Sequence, residues 1–316
     1  MWTRKFYLRG LFDNWLSDVK ATILEFIGTT FFLLLAFGGI QAATAELNLS
    51  GSAPSVILHD LYIALSMGFS LLISVWIFYR ASGGVFNPNI TLALFLAGAI
   101  RPLRFVLYCI AQLVGGIAAA AIVCALTPGP LLSNPVLADG VTLAQGVFIE
   151  MFITAALVLS VLMLAVEKHA ATPFAPVGIG LTSFVCHLWG VYYTCVSMNV
   201  ARAFGPAVIT GFPYSTQWVY WVGDGLGSLL ATALYMLFRQ HKYWLLNPGQ
   251  DMVCMIPAQY ASQDSGKTAG YSAIIYPKNR CPSSHSKEDH RSTATVGSRA
   301  ALETGMRGRR CVSDLV

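Results

Sequence analysis

Six long stretches of this sequence contain almost no charged residue. They cover residues 26–45, 61–79, 105–127, 140–166, 172–196 and 217–238, and they contain only two charged side chains, Glu150 and Asp224. A helix needs about 20 mostly apolar residues to cross the hydrocarbon core of a bilayer. Only helices and closed barrels satisfy their backbone polar groups there. The sequence therefore predicts an all-α membrane protein with six transmembrane helices.

Charge divides the chain into parts. Residues 1–239 contain ten Lys/Arg and nine Asp/Glu, whereas residues 240–316 contain ten and six. We predict a cytosolic N-terminal segment at 1–18, a membrane domain at 19–239 and a disordered cytosolic tail at 240–316. A charged fraction of 11% excludes an ordinary soluble enzyme, and a net charge of +5 is too small to indicate nucleic-acid binding.

The basic residues predict the orientation of the spans. With both termini in the cytosol, nineteen of the twenty Lys/Arg fall on the cytosolic side, and Arg202 is the exception. We expect a multi-pass protein of the plasma membrane. The sequon that begins at Asn48 falls in the first outer loop, where it fits an N-glycosylation site.

Two apolar segments, 89–100 and 200–209, are too short to cross the bilayer. One lies between the second and third spans and the other between the fifth and sixth. Short segments at matching places in two halves indicate a permeation site, although length alone is equally typical of interfacial loops. Because each half has three crossings, the second half must be inverted, and two half-helices can meet near the midplane.

Each short segment is preceded by an asparagine, Asn87 or Asn199. Asparagine is a favoured N-cap, and Pro88 is preorganised for the first helical position. A helix N-terminus carries free N–H groups and partial positive charge. Two such ends facing each other would oppose the passage of cations. The amide groups of the two asparagines could donate hydrogen bonds to the oxygen atom of a neutral solute that passes in single file.

The paired motif, the six spans and the stretch IALSMGFSLLI…ASGGVFNPNITLAL resemble the aquaporin (major intrinsic protein) family. The resemblance covers about residues 20–239 and implies an hourglass-shaped channel, assembled as a homotetramer with one pore in each protomer. The family's triplet, usually Asn-Pro-Ala, reads Asn87-Pro88-Asn89 in one half and Asn199-Val200-Ala201 in the other. The departures at Asn89 and Val200 leave proton exclusion and solute choice open.

The resemblance also implies a selectivity filter. Its four positions fall on Met67, His187, Val196 and Arg202. A bulky histidine beside an arginine leaves little room for glycerol and offers hydrogen-bond donors to water. Met67 replaces the usual phenylalanine and, being flexible, predicts a slightly more adaptable pore. Ala203 stands where glycerol-conducting members have aspartate, so the chain is most similar to the water-selective branch.

Three acids lie within the predicted spans or at their start. Glu25 and Glu150 are expected to be scaffold carboxylates that accept N–H groups from the backbone leading into the half-helices. An acid–base or proton-coupled role is the alternative. Asp224 faces either an interhelical partner or the pore mouth, and the sequence does not distinguish these.

These features predict a passive water channel without catalytic residues, metal or cofactor. Its predicted partners are water, the lipid bilayer and further copies of the chain, with no nucleic acid. The alternatives are a facilitator of hydrogen peroxide or another small neutral solute and, from a different class, a nonconducting membrane scaffold or junction protein.

Overall fold

The computed structural model describes residues 14–49, 55–169 and 171–247. These residues form eight α-helices and no strand, as the sequence predicted. Most of the predicted tail, and residues 1–13 of the N-terminal segment, lie outside the described residues. So does Ser50, the third residue of the sequon, whereas Asn48 is exposed near the end of the first helix.

Six of the helices are long and apolar enough to span a membrane. They are α1 (Trp15–Leu49), α2 (Val56–Phe78), α4 (Pro102–Leu126), α5 (Leu143–Val161), α6 (Ala175–Thr194) and α8 (Trp218–Gln240). A π-helical turn, Leu162–Val166, continues α5, and short 3₁₀ turns at Thr172–Phe174, Ser215–Gln217 and Tyr243–Leu245 flank α6 and α8. Large apolar side chains are exposed along their outer faces, as expected for contact with lipid.

The two short helices are α3 (Pro88–Leu96) and α7 (Val200–Thr210). Both have an asparagine as N-cap with nearly the same backbone conformation: φ −151°, ψ 117° at Asn87 and φ −158°, ψ 107° at Asn199. The two predicted half-helices are therefore present and begin alike.

Helix packing follows the predicted inverted repeat. Within the repeats, α1 packs on α4 and α5 packs on α8, which are equivalent pairs. Between the repeats, α2 packs on α6, and each half-helix packs on the last span of the other repeat, α7 on α4 and α3 on α8. This exchange places both half-helices inside the bundle.

Glycines allow the half-helix α7 to approach α4 closely. A Cβ atom added at Gly116 would collide with the carbonyl oxygen of Ala201, and one added at Gly205 would collide with the backbone of Gly116. Small residues at such crossings let helix backbones come together in a membrane. The position of the second half-helix therefore depends on this glycine contact.

Candidate pore

The two half-helices meet through their capping asparagines. The amide nitrogen of Asn87 donates to the carbonyl oxygen of Met198 at 2.7 Å, and that of Asn199 donates to the carbonyl oxygen of Phe86 at 2.9 Å. Each carbonyl belongs to the backbone before the opposite half-helix. Because an amide group carries two hydrogens, one on each asparagine stays available for a second acceptor.

The other end of each amide is fixed by its own helix. The side-chain oxygen of Asn87 accepts the N–H of Asn89 at 2.8 Å, and that of Asn199 accepts the N–H of Ala201 at 3.0 Å. These are N-cap hydrogen bonds. They turn the oxygens toward the helices and the nitrogens away from them, so the meeting point of the half-helices presents donors.

The segments that lead into the half-helices have unusual backbone conformations. Phe86, Cys195, Val196 and Met198 all have positive φ angles, between 48° and 55°. Such angles are costly for side chains with a Cβ, above all for the β-branched Val196, and persist only where surrounding contacts impose them.

Glu25 and Glu150 supply those contacts. The Glu25 carboxylate accepts the N–H of Phe86, the hydroxyl of Ser82 and, at 2.9 Å, the amide of Gln112. Both glutamates are fully buried. Each glutamate accepts backbone N–H groups from the non-helical segment before one half-helix, as expected of a scaffold carboxylate.

Glu150 makes equivalent contacts in the second repeat. It accepts the N–H groups of Ser197 and Met198 at 3.1 Å and the hydroxyl of Thr194 at 2.6 Å. Because the N–H groups of this segment are directed at the Glu150 carboxylate, its carbonyl groups point away from that carboxylate.

Asp224 lies between helices rather than at the pore mouth. It accepts the hydroxyl of Ser197 at 2.7 Å and that of Thr154, on α5, at 3.2 Å. It follows Asn199 by 25 residues, and Gln112 follows Asn87 by the same interval. Asp224 is thus the counterpart of Gln112, and both support the segment before a half-helix in their own repeat.

Several backbone carbonyls in these segments have no protein partner. Among the described residues, no hydrogen bond reaches the carbonyl oxygens of Gly83, Gly84, Val85, Val196 or Ser197. Irregular backbone at membrane depth is tolerated only where it is buried in protein or lines a water-filled path. Three of these oxygens belong to the segment before α3, and two belong to the segment before α7.

Arg202 is held by two backbone oxygens. Its Nη1 donates to the carbonyl of Ser133 at 2.9 Å and its Nη2 to the carbonyl of Cys195 at 3.3 Å, while Nε has no partner among the described residues. The side chain is buried, and no carboxylate within the described ranges forms an ion pair with it. Its positive charge is therefore fixed and not neutralised by a direct ion pair.

His187 is also buried and orientated. Its Nδ1 lies 2.8 Å from the carbonyl oxygen of Ser183, and because a carbonyl only accepts, Nδ1 carries the hydrogen. In the neutral ring Nε2 is then an acceptor, and it has no partner among the described residues. The sequence led us to expect a donor here; this hydrogen bond makes the free nitrogen an acceptor instead.

Met67 and Val196, the other two predicted filter residues, are buried as well. A cavity of about 390 Å³ opens onto the first segment, the one that precedes α3. Its lining includes Gly83, Gly84, Val85 and Ile90 together with Lys168. The cavity therefore borders the backbone of the segment before α3.

Sequence reasoning missed several supporting residues. Ser82, Gln112, Thr194 and Ser197 bind the two glutamates or Asp224, and the Ser133 carbonyl binds Arg202. The equal interval of 25 residues was the available signal for Gln112 and Asp224. Within the described ranges, no group of His, Cys, Asp and Glu has a metal-binding arrangement.

Comparison with known proteins gives a consistent result. Residues 13–235 match the family model described as major intrinsic protein. The chain is 65% identical to Aquaporin-1 of Laccaria bicolor over 242 residues, which are 76% of this chain and 78% of that one. It is 48% identical to Aquaporin-1 of Gibberella zeae over 240 residues, 76% of this chain and 75% of that one.

A solved structure shares the fold. The aquaglyceroporin from Plasmodium falciparum superimposes with a TM-score of 0.60 at 18% sequence identity. The match covers 72% of this chain and 98% of that one.

Proposed function

This chain belongs to the major intrinsic protein family, whose members are channels rather than enzymes, and from that premise we propose that it conducts water selectively. It is an integral, multi-pass membrane protein with a channel role. Which solute passes through the channel, and which residues determine this selectivity, are the subject of the proposal.

The observation that carries the proposal is the set of polar groups at the meeting point of the two half-helices and in the segments that precede them. Among the described residues, carbonyl oxygens without a hydrogen-bond partner occur in both segments that lead into the Asn87–Asn199 pair, and the amides of this pair have hydrogens to spare. A molecule that both donates and accepts hydrogen bonds satisfies the carbonyls and then the amides in turn. Water does this at the smallest size, so the groups suit water in single file.

Arg202 and His187 support selection at the outer end. The fixed guanidinium repels cations, and the positive ends of α3 and α7 oppose them again at the centre. The free Nε2 of His187 and the free Nε of Arg202 offer one acceptor and one donor, which matches a water molecule. We propose Met67, His187, Val196 and Arg202 as the selectivity filter.

Osmotic swelling of proteoliposomes tests the proposal. We expect water permeability to rise above that of empty liposomes of the same lipid, and to rise linearly with the protein-to-lipid ratio. Permeability equal to that of empty liposomes at every ratio would refute conduction of water and favour the nonconducting scaffold.

A second candidate solute is hydrogen peroxide, which is slightly larger than water and forms similar hydrogen bonds. Met67 favours it, because a flexible thioether stands at a filter position where the family usually has a rigid ring. We expect Met67→Phe to reduce peroxide uptake several-fold while changing water permeability less. The measurement is peroxide uptake into proteoliposomes, followed by fluorescence. Equal uptake by the wild type and the variant would show that Met67 does not determine selectivity.

We also propose that both termini are cytosolic, that the membrane is the plasma membrane and that the channel is a homotetramer. Ion pairs at one end of the bundle support the orientation. Asp18 binds Arg104 at 2.8 Å and Arg101 at 3.1 Å, and Glu167 lies 3.5 Å from Arg239. This end therefore contains a cluster of basic residues, as a cytosolic face does.

Chemical crosslinking of the protein in membranes tests the proposed homotetramer.

A further inference from the structure

The two departures from the Asn-Pro-Ala motif meet in the structure. The side-chain oxygen of Asn89 lies 3.1 Å from the backbone nitrogen of Val200 and accepts its hydrogen. Asn89 belongs to α3 and Val200 to α7, and 111 positions separate them in the chain. Each residue supplies a group that the family's usual residue lacks: alanine has no side-chain acceptor, and proline has no N–H.

Val200 needs an acceptor because of its place in the helix. It is the first residue of α7, so its N–H has no partner within the helix. The N-cap oxygen of Asn199 already accepts the next N–H, that of Ala201. Val200 is also buried, and leaving a buried donor unpaired is destabilising. In α3 the same position is Pro88, which has no backbone N–H and therefore needs no acceptor.

Asn89 is held in place to meet this need. Its own N–H is bound by the side chain of Asn87, and its carbonyl oxygen accepts the hydroxyl of Ser228, on α8, at 2.6 Å. Its side-chain oxygen lies where the positive ends of both half-helices meet, a favourable place for the negative end of an amide dipole. Ala201, its counterpart in α7, has no such side chain.

We infer that Asn89 is a positioning residue that takes over the role of the missing proline, accepting the extra N–H of Val200 and thereby joining the two half-helices at the centre of the proposed pore. The hydrogen bond exists once per protomer because Pro88 and Ala201 do not have the groups to repeat it. The contribution to pore geometry rests on the proposed function, whereas the hydrogen bond itself does not.

A double-mutant cycle tests the inference, with the thermal midpoint of the purified full-length protein as its first measurement. Asn89→Ala strands the N–H of Val200, and Val200→Pro strands the oxygen of Asn89. We expect each single change to lower the midpoint by about 2–8 °C and the double variant to recover most of that loss. Proline fits at position 200, because Asn199 already has the extended backbone that Asn87 adopts before Pro88.

Val200→Ala is the matched control, since it shortens the side chain but keeps the N–H. When Val200→Ala is combined with Asn89→Ala, we expect the two decreases in the thermal midpoint to add, with no recovery of stability. Additive effects of Asn89→Ala and Val200→Pro would overturn the inference. A second measurement needs no variant: solid-state NMR of the reconstituted wild-type protein should show a slowly exchanging Val200 amide, and rapid exchange would also overturn it.

Water permeability separates this inference from the proposed function. We expect Asn89→Ala to reduce permeability by about two- to fivefold and the double variant to restore it. A wild-type protein that conducts no water refutes the proposed function, while the thermal cycle still decides the hydrogen bond. A conducting protein with an additive thermal cycle refutes only the inference.

Discussion

Replacing His187 by glycine together with Arg202 by alanine is expected to admit glycerol, with uptake on the order of tenfold above that of the wild type. Both side chains are buried, and each leaves one nitrogen without a partner among the described residues. Removing them widens the proposed filter and takes away the hydrogen-bonding groups that suit water. Glycerol uptake by proteoliposomes, followed by light scattering, measures the effect.

Cys186→Ala is the matched control for this variant. Cys186 precedes His187 on α6 and is also buried, but its sulfur faces the carbonyl of Ile153, on α5, at 3.6 Å. Its truncation removes volume from the same helix outside the proposed filter, so glycerol should still be excluded. If the double variant excluded glycerol as the wild type does, the filter would not lie at these residues.

The spans were predictable because hydrophobicity is a local property, and their ends were less predictable because tertiary contacts decide them. The charge-free stretch of the first span begins at residue 26 and the membrane domain was predicted to begin at residue 19, whereas α1 begins at Trp15. The earlier turns carry Asp18, Lys20 and Glu25. Asp18 is buried against Arg101, the N-cap of α4, and against Arg104 within α4, and Glu25 is buried where it accepts the N–H of Phe86.

The site was predictable to the extent that its chemistry is local. An N-cap asparagine acts on its own helix, so Asn87 and Asn199 were identifiable from short motifs. The partners of Asp224 and Asn89 come from other helices, and a single sequence does not show which residues will meet. For the same reason the sequence treated Asn89 and Val200 as two separate departures, although they form one hydrogen bond.

Glu150→Leu is expected to abolish the folded channel. The carboxylate is fully buried and accepts two backbone N–H groups and one hydroxyl, and leucine removes every acceptor at once. Stranding a buried donor costs about 1–3 kcal/mol, so leaving three donors without an acceptor costs on the order of the whole free energy of unfolding of a typical domain. The left-handed backbone at Val196 and Met198 adds strain that the contacts with Glu150 offset in the wild-type protein.

Size-exclusion chromatography and the thermal midpoint in detergent measure this loss, and Glu167→Gln is its control. Glu167 is an acid just beyond the same span, but it is partly exposed and pairs with Arg239 at 3.5 Å, so its neutralisation should change the midpoint by a few degrees at most. Glu150→Gln keeps one oxygen and should fall between the two. A Glu150→Leu protein that eluted and melted like the wild type would show that the second half-helix is held by its helix contacts alone.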